Sequence, residues 1–154
     1  MVRLKTGDRA PDFGLLDQNG QKVKLKDFKG KKLLLYFYPK ANTSGWTTQA
    51  QSVRDAQTGL AKEGVAVAGI SPDDPVAQKK FDEKYQLNFP LLSDRNRSVA
   101  KNYGVWGEKM MYGKKTEGII RSSFLIDEQG KIMQAWYKIS PEDTIPKALA
   151  ALAG

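Results

Sequence analysis

Residues 33–51 constrain this chain more than any other stretch. Leu33-Leu34-Leu35-Tyr36-Phe37-Tyr38 is an apolar run of strand length with no polar alternation. That is the pattern of a central strand covered on both faces. Pro39 ends the run, a polar loop through Thr43, Ser44 and Gly45 follows, and helical spacing begins at Trp46. Thr43 and Ser44 are suitable caps for that helix. A strand feeding a helix through a loop that exposes backbone N–H groups is a common seat for chemistry.

The rest of the chain supplies what such a strand needs. Phe13 and Leu15 alternate, Asn19-Gly20 reads as a hairpin turn of the primed type, and Val23 and Leu25 alternate on the return. Asp27-Phe28-Lys29-Gly30 is a second turn. The helix after residue 46 carries apolar or small residues at Trp46, Ala50, Val53, Leu60 and Ala61, close to a 3–4 spacing. Residues 65–70 form a second buried strand. Asp74-Pro75 opens a helix running to about Gln86, with Ala77, Phe81 and Tyr85 on one face. Residues 89–93 are a short strand, and 98–103 a short helix ended by Gly104. Residues 105–118 read as a polar loop, 119–126 and 131–139 as paired strands about the turn at Asp127–Gly130. The closing helix, 141–152, is expected to turn Ile145, Leu149 and Leu152 inward. This order predicts an α/β chain of one domain, 1–154, with helices on both faces of a mixed sheet.

Two zero counts exclude most enzyme chemistry. The 154 residues hold no cysteine and no histidine. There is no thiolate nucleophile, no disulfide, no thiolate-held metal and no imidazole base. No loop shows the alternating acidic ligands of a calcium site, so neither metal nor cofactor is expected. Twenty-five Lys and Arg against 17 Asp and Glu leave a net charge of +8. Lys22, Lys24, Lys26, Lys29, Lys31 and Lys32 lie on a turn-rich edge without interleaved aromatics, which reads as a solvated surface rather than a nucleic-acid face. No run approaches the ~20 apolar residues of a membrane span, and residues 1–7 lack an apolar core of signal-peptide length. A cytoplasmic location, with no nucleic-acid or membrane partner, is the expectation.

The stretch from Tyr36 to Gln51 resembles the active-site segment of peroxiredoxins, most closely the bacterioferritin comigratory (Q-type) subfamily. Members read Tyr-Phe-Tyr-Pro-Lys, then Thr-Pro-Gly-Cys-Thr, then Ala-Cys. Further matches are Gly7-Asp8-Arg9-Ala10-Pro11-Asp12-Phe13, Gly69-Ile70-Ser71 and Arg121-Ser122-Ser123-Phe124-Leu125-Ile126-Asp127, so the resemblance covers nearly the whole chain. It implies a thioredoxin-like α/β fold, a central mixed β-sheet flanked by helices, with an N-terminal β-hairpin extension. It also implies thiol-dependent reduction of a hydroperoxide with electrons from a thioredoxin-like reductant, in a protein often monomeric.

By the same resemblance, Pro39 shields the reacting sulfur, Thr43 orients the peroxide, and Arg121 lowers the thiol pKa. Trp46 stands where the attacking cysteine belongs and Gln51 where the resolving cysteine belongs; Ser44 replaces a proline and Gln49 a frequent glutamate. Indole is no peroxide nucleophile and its N–H only donates. The expectation is therefore a cysteine-less, inactive variant. The alternative is a non-catalytic thioredoxin-fold protein that binds an anion or a protein partner through the former peroxide pocket. Because a thiol-sized pocket is overpacked by an indole, the turn over residues 45–48 is expected to be unwound or displaced, with the indole moved outward or against a nearby apolar patch.

Overall fold

The computed structural model describes residues 3–40, 44–111 and 113–153. Its centre is β3 (Lys32–Phe37), which pairs in parallel with β4 (Val65–Ser71) and antiparallel with β8 (Ser122–Ile126). Both neighbours of β3 are thus themselves interior strands. The seven-stranded sheet runs β2-β1-β5-β4-β3-β8-β9, with β1 at Gly14–Leu16, β2 at Lys22–Lys24, β5 at Leu91–Ser93 and β9 at Ile132–Tyr137. It is mixed, as the order of elements predicts. The N-terminal hairpin adds to the edge through β1 and β5, where Leu16 faces Ser93.

Alternation along β3 divides the core in two. Leu33, Leu35 and Phe37 pack with Phe13, Val99, Tyr103 and Phe124 under α3 (Ser98–Asn102) and the N-terminal segment. Leu34, Tyr36 and Tyr38 pack on the other face with Ala50, Val53 and Leu60 of α1 (Ser44–Lys62), Phe81 of α2 (Pro75–Tyr85) and Ala148 of α4 (Thr144–Ala153). Among the described residues no helix is long and apolar enough to cross a membrane.

Four expectations need correction. The turn at Asn19-Gly20 is not of the primed type: only Gly20 has a positive φ, +77°, whereas a type I′ turn needs two such residues. Asp17 organises it instead. Its carbonyl accepts the Gly20 N–H and its carboxylate accepts the N–H groups of Asn19 and Gln21. Secondly, residues 105–118 are not a loop. β6 (Trp106–Met111) and β7 (Lys114–Ile119) form an antiparallel hairpin outside the main sheet. A two-stranded ribbon outside the main sheet has no need of the apolar alternation by which strands are recognised. Its base is held by Trp106, whose ring lies 5.3 Å from the Arg97 guanidinium and 5.8 Å from the Lys101 ammonium. Thirdly, the strand expected from residue 119 begins only at Ser122, because Ile119 ends the hairpin. Finally, Leu149 is 47% exposed, and α4 buries Thr144 and Ala148 instead.

Gly69 sits where two buried rings meet the next strand. A Cβ there would stand 2.8 Å from Tyr36 Cζ and 2.9 Å from both Tyr36 Oη and Tyr38 Cε1. Gly69→Ala is expected to destabilise by about 1–3 kcal/mol, the usual cost of overpacking. Urea unfolding should show a lower midpoint with an unchanged slope.

Tyr36, Tyr38 and Tyr103 are buried, and burial pushes each phenol above its ordinary value. The folded chain therefore holds these protons at a pH where the unfolded chain releases them. Their contribution to stability is complete below about pH 10, the unfolded value, and is lost as pH rises past it. Each phenol is expected to steepen that loss by about 1.4 kcal/mol per pH unit. Urea midpoints taken through the alkaline range should fall above about pH 10, and tyrosinate absorbance from these rings should appear only as the chain unfolds.

Candidate functional site

The C-terminal ends of the parallel strands β3, β4 and β5 open on one edge of the sheet, the customary crevice of such folds. Tyr38 carries β3 past its last ladder pair: its N–H donates to Ile70 O at 3.0 Å. Pro39 follows, half-buried. Because Phe37 pairs with Ser122 across the antiparallel ladder, Arg121 comes to the same edge, one residue before β8. Its carbonyl accepts the Ile139 N–H at 3.0 Å, and its side chain is half-buried. The fold thus brings Pro39, Arg121 and the start of α1 to one end of the sheet, although they lie far apart in the chain.

Helix α1 is regular from Ser44, so residues 45–48 are helical. The unwound turn expected there is not found. Ala50 and Val53, 1% and 0% exposed, fix the beginning of α1 on the sheet. Unwinding its first turn would strain those contacts. Thr43 and the side chain of Trp46 lie outside the described residues. Gln51 is half-buried on α1, five residues beyond Trp46 and within the same unbroken helix.

Two buried polar networks support this edge, and sequence reasoning missed both. In the first, Tyr38 Oη donates to Gln78 Oε1 at 2.7 Å, and Gln78 Nε2 donates to Ser71 Oγ and Leu92 O, both at 3.0 Å. Ser71 Oγ in turn donates to Asp73 Oδ2 at 2.9 Å. Gln78 is fully buried, so β3, β4, β5 and α2 are joined by hydrogen bonds inside an apolar layer. In the second, Gln49 Nε2 donates to Thr144 Oγ1 at 2.7 Å, and Thr144 Oγ1 shares a 2.9 Å hydrogen bond with Ser123 Oγ. This ties α1 to α4 and to β8, two residues beyond Arg121. Gln49 Oε1 is buried with no partner among the described residues. The available signal was positional: Gln78 lies between Ala77 and Phe81 on a helix expected to face the sheet, and Gln49 adjoins the inward Ala50.

The N–H groups at the start of α1 favour negative charge there. The site offers no nucleophilic sulfur. Among the described residues no cluster of acidic side chains suits a metal ion.

Comparison with known proteins agrees with this architecture. The sequence profile described as AhpC/TSA family matches residues 6–135. Peroxiredoxin Bcp of Escherichia coli strain K12 is 54% identical over 132 residues, covering 86% of this chain and 85% of that one. The structure of the Xanthomonas campestris bacterioferritin comigratory protein, studied for its alkyl peroxide reduction activity, superposes with a TM-score of 0.86 at 34% identity, over 92% of this chain and 90% of the other. A Xylella fastidiosa PrxQ mutant superposes with a TM-score of 0.88 at 29% identity, over 97% and 98%.

Thr144→Val is expected to strand Gln49 Nε2 and the Ser123 hydroxyl in a buried setting and to destabilise by about 1–3 kcal/mol. Adding Gln49→Leu should recover part of that loss, because it removes the amide left without partners. A double-mutant cycle by urea unfolding measures the coupling; strictly additive costs would mean that the pair does not interact.

Proposed function

The chain belongs to the AhpC/TSA family, and on that footing we propose that it presents a peroxiredoxin scaffold from which the sulfur chemistry has been removed. One observation carries the reading: likeness to peroxiredoxins over most of the chain, in a sequence without a single cysteine. The family implies a hydroperoxide substrate and a thioredoxin-like reductant. Because the Xanthomonas relative is studied for alkyl peroxide reduction, an alkyl hydroperoxide is the natural second substrate to test. The reading includes one unit over residues 1–154, acting as a monomer in the cytoplasm.

In the proposed site each residue has a physical task. A thiolate at position 46 would attack one peroxide oxygen. The S–O bond forms as the O–O bond breaks, sulfur is oxidised to a sulfenic acid, and the leaving oxygen takes a proton to become alcohol or water. Thr43 would orient the peroxide, the N-terminus of α1 and Arg121 would hold the thiol as thiolate, and Pro39 would keep bulk water from the sulfur. With Trp46 in that place, none of these supports has a nucleophile to serve. Gln51 likewise cannot resolve an oxidised sulfur.

The chain as it stands is expected to consume neither hydrogen peroxide nor an alkyl hydroperoxide above a buffer control when thioredoxin, its reductase and NADPH are supplied. Trp46→Cys should restore a single turnover, with the new thiol titrating below the free value of ~8.5. Arg121→Met added to that variant should return the thiol towards the free value. The pair Trp46→Cys and Gln51→Cys should cycle only if α1 opens locally. The two positions are separated by about 7.5 Å of helix rise, beyond the roughly 7 Å limit on the Cα separation of a disulfide. A thiol at position 46 that titrates as a free one and ignores peroxide would overturn the assignment of the site.

A further inference from the structure

The opposite end of the sheet carries a cavity of about 420 Å³, at the start of β3 rather than beyond its end. It lies among the segment before β1, the 3-10 turn Leu25–Phe28 and the β8–β9 turn. These walls are tied to one another by backbone hydrogen bonds. Ala10 N–H donates to Gly130 O at 2.8 Å, Gly30 N–H to Glu128 O at 3.0 Å and Lys31 N–H to Phe28 O at 2.9 Å. The space is therefore preformed between three fastened segments.

Its floor and rim differ in chemistry. Leu25, Leu33 and Ile126, all buried, and the half-buried Phe28 make an apolar floor. Arg9, Lys26, Lys29 and Lys31 stand on the rim, and none has a hydrogen-bond or ion-pair partner for its side chain among the described residues. Two carboxylates also line the cavity. Asp127 is engaged by its own turn, its Oδ1 accepting the N–H groups of Gln129 and Lys131 at 2.9 Å each. Asp12 is exposed. Four cations against two carboxylates leave a lining charge of +2.

We propose that this cavity binds a small organic dianion, a phosphate monoester carrying an apolar body. The phosphate, with a charge near −2 at neutral pH, matches the excess on the rim. Charge-assisted hydrogen bonds from lysine and arginine are the strong ones, and here they cost no broken ion pair. The apolar floor requires a body that prefers Leu25 and Phe28 to water. The volume falls within the range of about 300–1,000 Å³ typical of small-molecule sites. A cupped rim over an apolar floor suits a compact ligand; a nucleic-acid strand would call for a basic stripe with stacking surfaces. The lysines read from sequence as a solvated edge thus include three that the fold gathers with Arg9 around one opening. The site needs no sulfur and stands apart from the peroxide pocket.

The test is a titration of the full chain, labelled with nitrogen-15, with 1-naphthyl phosphate at low salt, read by amide chemical shifts. Saturating shifts are expected at Ala10, Phe28 and Gly130, and not around Pro39 and Arg121. 1-Naphthol and inorganic phosphate should each bind weaker by on the order of tenfold or more, since each supplies only one half of the contacts. Lys26→Gln with Lys29→Gln, both at exposed positions, should weaken naphthyl phosphate by a similar factor while leaving the urea midpoint unchanged. Shifts that fail to saturate, shifts centred on Arg121, equal binding of inorganic phosphate, or full affinity in the lysine double variant would each overturn the proposal.

Discussion

The structure depends on a strand with no free face. From Leu33 to Tyr38 every side chain of β3 and its extension is buried. Both of its edges are paired as well, with β4 on one side and β8 on the other. Successive residues of that run therefore commit the two layers in alternation, and the strand as a whole commits two neighbouring strands. The chain can leave the sheet only where the pairing stops, at Pro39, which cannot donate to a ladder. The position of the site follows from this constraint. The helix after β3 must start at that edge, and the antiparallel partner of β3 must begin there, which is how Arg121 comes to the same edge of the sheet.

Elements whose sequence pattern reflects burial were legible before the structure. The apolar runs at 33–38 and 65–70 became β3 and β4, and the Asp74-Pro75 start became α2, with Asp74 accepting the Ala77 N–H as its cap. What escaped was structure held by something other than apolar periodicity. The β6–β7 hairpin rests on a cation–π contact at its base. The turn after β1 is set by the Asp17 carboxylate, so Asn19-Gly20 misleads as to its type. On α4 the inward face includes Thr144, whose hydroxyl bridges Gln49 and Ser123. A reading that sorts residues into apolar and polar places Leu149 inside and Thr144 outside, and is wrong twice for one reason.

The same blindness applies to the site. Pro39 and Arg121 were found by motif, and the fold places them at one edge. Gln78 was passed over because amides are ordinarily exposed. Yet it satisfies the Tyr38 hydroxyl, Ser71 and the Leu92 carbonyl together, in a layer where any one of them left unpaired would be costly. Such a residue is visible only when its partners, forty and fourteen positions away for Tyr38 and Leu92, are brought next to it.

The supports of the site and its missing chemistry are physically separable. Tyr38, Gln78, Ser71, Gln49 and Thr144 are held by the core and by each other. The unbroken start of α1 makes the point. With Trp46 as its third residue the helix begins at Ser44, and Ala50 and Val53 anchor it from the following turns. The scaffold is thus overdetermined by burial. Likeness in structure and sequence therefore identifies the family, while the absence of any cysteine is read from the sequence alone.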